Sequence, residues 1–377
     1  MEINQVGHTS SKKGNLPFSI HDYYFTTLIG QGGSSLVYLG QNLKFGNQFV
    51  AKVMSVEPSE MSECWKIFDA EVSTLSVLDH PHIIRLYDHF REGNKFYMIL
   101  EYCPGGSLQS QISRSNGLTS AQFRLIGREI TEALAYCHEK GIAHRDIKTQ
   151  NILLDMSGHS HLADFGLSLK TQKGQLYLSN GGSFEFTAPE IFTKKPHDPL
   201  AGDAWALGVV FAIMASGSSP WKYESLGDLK IIASQAQIQY KKPIPDIIDD
   251  LIRQLITINP SERLTMKQVL EHPAFKFPVS LKNKIHVKQY SNSISNAFPV
   301  LKWNNINRTN HGSSNSSNLS FGSDQDSSSQ DNTSTIHSAS SAAIHSNQKS
   351  RVRQRLLSKN WNSTGPYNGG NDVLEID

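Results

Sequence analysis

The chain has 377 residues with 36 Lys and Arg against 34 Asp and Glu, and 38% of its side chains are hydrophobic. That is enough for two ordinary domains, or for one large domain with an appendage. A net charge of +2 creates no global field for a polyanion, so nucleic acid is not an expected partner, and three cysteines (Cys64, Cys103, Cys137) without a Cys-x-x-Cys pair exclude a disulfide framework or zinc cluster.

A reducing compartment follows from that cysteine usage. The polar opening MEINQVGHTSSKKGNLPF has no apolar stretch of the secretory kind, so an intracellular, cytoplasmic location is expected, with the nucleus open. Residues 1–21 read as an N-terminal extension. Tyr23–Gln31, Ser35–Gln41 and Gln48–Met54 are β-branched or aromatic and separated by Gly and Asn turns, which predicts three strands. A helix follows over Glu60–Leu78, where Ile67, Val72, Leu75 and Leu78 repeat near 3.6 residues. Strands are expected at Leu86–Phe90 and Lys95–Glu101, and helices dominate from Leu108 onward.

Thr119–Lys140 places Phe123, Ile126, Ile130, Ala133, Leu134 and Cys137 on one stripe, with Thr119 as N-cap. The uncharged run Ala204 to Trp221 reaches the lower length limit of a membrane span, but three serines and two glycines make it the buried helix of a large core. No membrane span is expected. The fold class is therefore α+β: a small β-rich lobe, a larger helical lobe, and a ligand cleft where they meet.

Past Phe277 the texture changes. Residues 311–350 hold 15 serines and four charged residues with few large apolar side chains, so the tail over 278–377 is expected to be disordered. It carries 10 basic and 6 acidic residues. The stretch Arg351–Leu357 offers a docking segment for an acidic partner, with a solvated charge run as the plainer reading. Oligomeric state is not legible.

Three groups of residues carry chemistry. Gly30, Gly32 and Gly33 form a turn between two strands, where backbone N–H groups can approach phosphate oxygens; a tight hairpin is the alternative. Lys52 ends an apolar strand and Glu71 lies on the next helix, a pairing that would hold the lysine extended; an exposed surface lysine is the alternative. The strongest cluster is His144-Arg145-Asp146-Ile147-Lys148-Thr149-Gln150-Asn151, followed by Asp164-Phe165-Gly166. Asn and Asp oxygens suit hard, oxygen-seeking Mg²⁺, and a separate Asp remains free to receive a hydroxyl proton.

In this order the motifs resemble the eukaryotic protein kinase family, over about Tyr23 to Phe277. The glycine turn, Lys52, Glu71, the hinge Leu100-Glu101-Tyr102-Cys103, the HRDIKTQN string, Asp164-Phe165-Gly166, Ala188-Pro189-Glu190, Asp203 and Arg263 stand in family order. The resemblance implies a two-lobed kinase domain over 22–277 that uses ATP and Mg²⁺ to phosphorylate protein substrates. It implies that Lys52, held by Glu71, grips the nucleotide phosphates, that Asn151 and Asp164 ligate Mg²⁺, and that Asp146 accepts the hydroxyl proton. Lys148 would contact the transferring phosphate and marks the serine/threonine branch. Glu101 and Cys103 would bond adenine through their backbone, with Val37, Val50 and Leu153 around the ring. A column of Leu75, Leu86, His144 and Phe165 would link the lobes, Glu190 would pair with Arg263, and Asp203 would brace the catalytic loop.

Ser35 replaces the third glycine, Val50 an alanine and Phe186 a tyrosine of the family pattern, and none of these removes a catalytic group. The catalytic-loop string also resembles the NIMA-related group. The resemblance also implies that Ser183 bonds Asp146 and Lys148 and that phosphorylated Ser179 pairs with Arg145 to order the activation segment, with constitutive activity without phosphate as the alternative. Two other classes compete. A pseudokinase scaffold predicts loss of Lys52, Asp146, Asn151 or Asp164, and all four stand. A small-molecule phosphotransferase lacks the Ala-Pro-Glu platform and the Lys148 position.

Overall fold

Alternating apolar and polar residues build a six-stranded antiparallel sheet in the small lobe of this computed structural model, which describes residues 16–32, 35–178, 182–193 and 195–276. Its strands are β1 (Phe18–Ile20), β2 (Tyr23–Gln31), β3 (Ser35–Asn42), β4 (Gln48–Ser55), β5 (Leu86–Glu92) and β6 (Lys95–Glu101), in the order β1-β2-β3-β4-β6-β5. Helix α1 (Met61–Ser76) lies between β4 and β5 in sequence. It begins one residue later and ends two earlier than the apolar period predicts, because Pro58–Glu60 form a separate 3₁₀ turn before it.

The sheet is coated on both faces, and the period of two decides which residues go where. Ala51 and Val53 join Tyr23, Phe25, Tyr38, Tyr97 and Ile99 in one cluster. Met54 joins Phe96 and Met98 in another, against Cys64, Phe68 and Val72 of α1. Lys52 sits two residues before Met54, opposite Met98, and so shares the helix-facing side. Full burial of a residue such as Phe68 contributes about 1.5–3 kcal/mol, so this packing fixes α1 firmly against the strand that carries the lysine.

The large lobe begins with β7 (Gly106–Ser107), α2 (Leu108–Ser115) and α3 (Ser120–Glu139). Thr119 caps α3 as expected: its hydroxyl accepts the Gln122 N–H, and the Gln122 side chain accepts the Thr119 N–H at 3.1 Å. Short strands follow, β8 (Ile142–Ala143), β9 (Ile152–Leu154), β10 (Ser160–Leu162) and β11 (Leu169–Lys170), with β9 central between β7 and β10, and β8 paired with β11. The segments between them present the residues of the cleft.

Helices α4 (Pro189–Phe192), α5 (Pro199–Ser216), α6 (Leu226–Ser234), α7 (Asp246–Leu255), α8 (Met266–Glu271) and α9 (Pro273–Lys276) complete the described chain. The buried helix expected at Ala204–Trp221 is α5, but its ends are displaced. Asp198 caps it with Pro199 in the first turn, and Gly217, at φ 85°, stops it. Gly208 lets α7 approach, since a Cβ there would lie 2.8 Å from Ile256 and Leu255. Among the described residues α5 is the one helix long and apolar enough to cross a membrane, and it is 89% buried inside the fold.

Candidate active site

The glycine turn joins β2 to β3. Gly30 lies opposite Val37, and the Gly32 N–H donates to the Ser35 carbonyl at 2.7 Å; Gly33 lies outside the described residues. A Cβ at Gly30 would meet only Val37, at an ordinary 3.4 Å, so the protein's own packing does not demand a glycine there.

Below that turn one ammonium serves two carboxylates. Lys52 Nζ lies 2.7 Å from Glu71 Oε1 and 2.7 Å from Asp164 Oδ1. Glu71 occupies the buried stripe of α1 between Phe68 and Leu75, which aims it at the β4 face carrying Lys52. Burial opposes the Lys52 charge, yet Asp164 and Glu71 outweigh it and hold the ammonium above its ordinary range. Lys52 in turn draws Asp164 down to about 2, so that carboxylate is ionised at neutral pH. Asp164 holds φ at 65°, a left-handed conformation uncommon for Asp and of the kind that clusters at functional sites. Gly166 leaves the adjacent space open, since a Cβ there would press on Glu71 Oε2 at 3.3 Å.

The second half of the site is the loop between β8 and β9. Asp203, only 1% accessible on α5, accepts the backbone N–H groups of His144 at 2.8 Å and Arg145 at 2.7 Å. Asp146 is thereby presented to a ring of donors. Lys148 Nζ reaches its Oδ2 at 2.7 Å, Asn151 Nδ2 reaches the same oxygen at 3.0 Å, and Ser183 reaches Oδ1 through both its N–H and its hydroxyl. Lys148 also bonds the Ser183 hydroxyl at 3.1 Å. Asn151 spends its amide N–H₂ on Asp146, which leaves its carbonyl oxygen as the atom suited to a cation.

Val37 on β3, Val50 on β4 and Leu153 on β9 are buried or half-buried, and Glu101 and Cys103 bracket the link between the lobes. Burial, with the Glu101 and Asp155 carboxylates, pushes the Cys103 thiol up to about 12, so it is no nucleophile. Of the column expected between the lobes, Leu75 and Phe165 belong to one buried cluster against which Leu86 packs, and the His144 ring sits 4.6 Å from that of Phe165. Glu190 and Arg263 form the expected pair, in a two-pronged bond.

The Arg145 guanidinium donates through Nη1 to the Leu167 carbonyl at 3.1 Å. Ser179 lies outside the described residues. Two contacts escape the sequence reading: His138 Nε2 meets Asp203 Oδ2 at 3.0 Å, and the Ser168 hydroxyl bonds Thr74 of α1 at 3.2 Å. A histidine in the last turn of α3 is the signal for the first; nothing in the sequence marks the second.

Residues 23–275 match the protein kinase domain. The chain belongs to the protein kinase family. The kinase is similar to Aurora kinase C of Mus musculus, 33% identical over 266 residues that cover 70% of this chain and 94% of that one. It is 34% identical to sperm motility kinase 2B of Mus musculus over 254 residues, and 30% identical to CBL-interacting protein kinase 25 of Oryza sativa subsp. japonica over 262. Each of those matches covers 67% of this chain and 51% of the relative, so the chain spans about half the length of these two. The kinase stands on the serine/threonine branch, and its family works with ATP and Mg²⁺.

Proposed function

We propose that this kinase moves the γ-phosphate of ATP to serine and threonine hydroxyls of protein substrates through the residues assembled at the cleft. Asp146 accepts the hydroxyl proton. Lys148, bonded to Asp146 and Ser183, lies beside the transferring phosphate and stabilises its charge, while Ser183 holds Asp146 in place. Lys52 grips the nucleotide phosphates, with Glu71 keeping it extended. Gly30, Gly32 and Gly33 cover the phosphates; Val37, Val50 and Leu153 enclose adenine, and backbone groups of Glu101 and Cys103 bond its edge.

The oxygens of Asp164 and Asn151 fit Mg²⁺, which when bound neutralises phosphate charge. Asp164 remains 45% exposed on its side chain and ionised, as a ligand must be. The observation that carries the reading is Lys52 held between Glu71 and Asp164, because a scaffold without turnover has no need to stabilise three buried or half-buried charges together. The catalytic unit is taken as 22–277; of its flanks, residues 16–21 are described and Phe18–Ile20 pair as β1 with Tyr23–Phe25, while residues 1–15 and 278–377 lie outside the described residues. An intracellular location, where ATP is abundant, belongs to the same proposal.

The test is phosphate transfer from ATP to casein by the wild type, Lys52→Met and Asp164→Ala. Both substitutions should abolish turnover while cooperative thermal unfolding persists; near-wild-type turnover in either would overturn the assignment. Activation through Ser179 is part of the proposal, a phosphoserine there pairing with Arg145. Phosphatase treatment, Ser179→Ala and Arg145→Ala should then lower kcat together, and an unaffected Ser179→Ala enzyme would remove this part.

A further inference from the structure

Behind the hinge lies a group of histidines that phosphoryl transfer does not use. His80 and His82 precede β5, and His159 and His161 sit in the β9–β10 hairpin. Three of them have hydrogen-bond partners: His80 Nδ1 accepts the His82 N–H at 3.2 Å, His82 Nδ1 meets the Ser160 carbonyl at 3.0 Å, and His159 Nδ1 meets Glu129 Oε1 at 2.6 Å. His161 is different. It is 7% accessible, and neither ring nitrogen has a hydrogen-bond partner among the described residues.

Its ring stands between two carboxylates, with Nδ1 3.6 Å from Glu101 Oε2 and Nε2 3.8 Å from Asp155 Oδ2. A neutral imidazole has one N–H and one lone pair, so in this position the lone pair faces a carboxylate whichever tautomer is present. An imidazolium donates on both sides. Both gaps exceed a hydrogen bond by less than about 1 Å, a shift available to side chains that are roughly a quarter exposed. Asp155 is already set for this, because its other oxygen is fixed by the N–H groups of Ser157 at 2.7 Å and His159 at 2.9 Å.

The two carboxylates belong to different lobes. Glu101 ends β6 at the hinge, and Asp155 opens the hairpin between β9 and β10 in the large lobe. The other charged and titratable groups here leave the cationic role to His161. The Arg85 guanidinium is bonded to Asp79 at 2.8 Å, and only its backbone N–H reaches Glu101, at 3.3 Å. Glu129 is engaged by His159 and by the N–H and hydroxyl of Ser160. Burial first, and the Glu101 charge after it, push the Cys103 thiol and the Tyr87 phenol up, so both stay protonated, and the His82 ring lies 6.4 Å away.

We propose that His161 is a proton-operated strap: charged, it binds Glu101 and Asp155 at once and ties the hinge to the large lobe, and neutral, it releases them. A hinge already ordered costs less to bind, so adenine affinity rises as pH falls. This rests on the reading of Glu101 and Cys103 as the adenine edge, and the experiment separates the two. Adenosine is the probe, since it keeps one charge state between about pH 5.5 and about pH 8, the span in which imidazoles exchange their proton.

In calorimetry on the full chain, the wild type should bind adenosine about fivefold more tightly at the lower pH, the low end of ordinary coupling between sites. His161→Gln and Asp155→Asn should bind it equally at both. A pH dependence missing from the wild type, or persisting in His161→Gln, overturns the strap. NMR of the His161 ring supplies a second readout: its titration midpoint should fall in Asp155→Asn, and an unmoved midpoint overturns the strap as well. Absence of adenosine binding at every pH counts against the hinge reading instead, and the ring titration then decides the strap alone.

Discussion

Arg263 and Glu190 meet fork to fork: Nη1 lies 2.6 Å from Oε1 and Nη2 lies 2.7 Å from Oε2. The guanidinium, 1% exposed, also donates to the carbonyls of Thr257, Ala201 and Ile258 and stacks on Trp205 at 5.0 Å. Glu190 belongs to α4, directly after the segment that carries Ser183, so this bond anchors that segment to the large lobe.

Removing the guanidinium leaves the largely enclosed Glu190, 16% exposed, without its counter-charge and frees three carbonyls. Arg263→Ala should cost about 3–5 kcal/mol of unfolding free energy, and Arg263→Lys should recover less than half, since an ammonium cannot make the two-pronged bond. Urea unfolding measures both. A loss under 1 kcal/mol for the alanine variant would show that the anchor carries little.

A second brace is Asp203. It accepts two backbone N–H groups from the catalytic loop and faces His138, all within 3.0 Å. Asp203→Asn keeps the shape but weakens charge-assisted bonds, each worth about 1.5–3 kcal/mol. Because the loop carries Asp146 and not the hinge, kcat should fall at least about tenfold while the KM for ATP stays within about twofold. Steady-state kinetics on a folded variant decide it, and a rise in KM with unchanged kcat would contradict the role.

Much of this arrangement is legible in the sequence because it follows from short periods. The side of β4 that bears Lys52 follows from alternation with Met54, and the side of α1 that bears Glu71 follows from its spacing with Phe68, Val72 and Leu75. β1 was not legible: three residues have no pattern of their own, and they form a strand only by pairing with Tyr23–Phe25. The run Ala204–Trp221 marks α5 by composition, while the ends are set by Asp198 and Gly217, and Trp221 enters the core after the helix by stacking on Trp205. His138 with Asp203, and His161 between Glu101 and Asp155, join residues distant in sequence, and no spacing rule reaches them.

His159 gives a pH dependence of stability. Its bond to buried Glu129 raises its pKa above the ordinary histidine value, and the Glu129 charge adds to this against partial desolvation. The stability gained is therefore complete below the ordinary pKa and is lost as pH rises through the folded one. The ring is 48% exposed, so solvent screens the pair. The melting temperature should fall by about 1–3 °C between pH 6 and pH 8, and His159→Asn should remove that part of the slope. An unchanged slope in the variant would refute the assignment.

Ser183 gives the sharpest test of how Asp146 is positioned. Its hydroxyl donates to Asp146 Oδ1 at 3.0 Å and accepts from Lys148 at 3.1 Å, while its backbone N–H meets the same carboxylate oxygen at 3.1 Å. Ser183→Ala deletes the first two bonds and keeps the third, so Asp146 loses half of its hold on that oxygen and Lys148 loses a partner. Two charge-assisted bonds of about 1–2 kcal/mol each predict a fall in kcat of about 30–900-fold. The nucleotide side is untouched, since Lys52, Glu71 and the hinge make no bond to Ser183, and the KM for ATP should stay within about twofold. Ser183→Thr restores a hydroxyl at the same place and should recover most of the rate. If Ser183→Ala raised the KM for ATP and left kcat unchanged, or if threonine failed to rescue a folded enzyme, the hydroxyl would not be acting through Asp146 and Lys148.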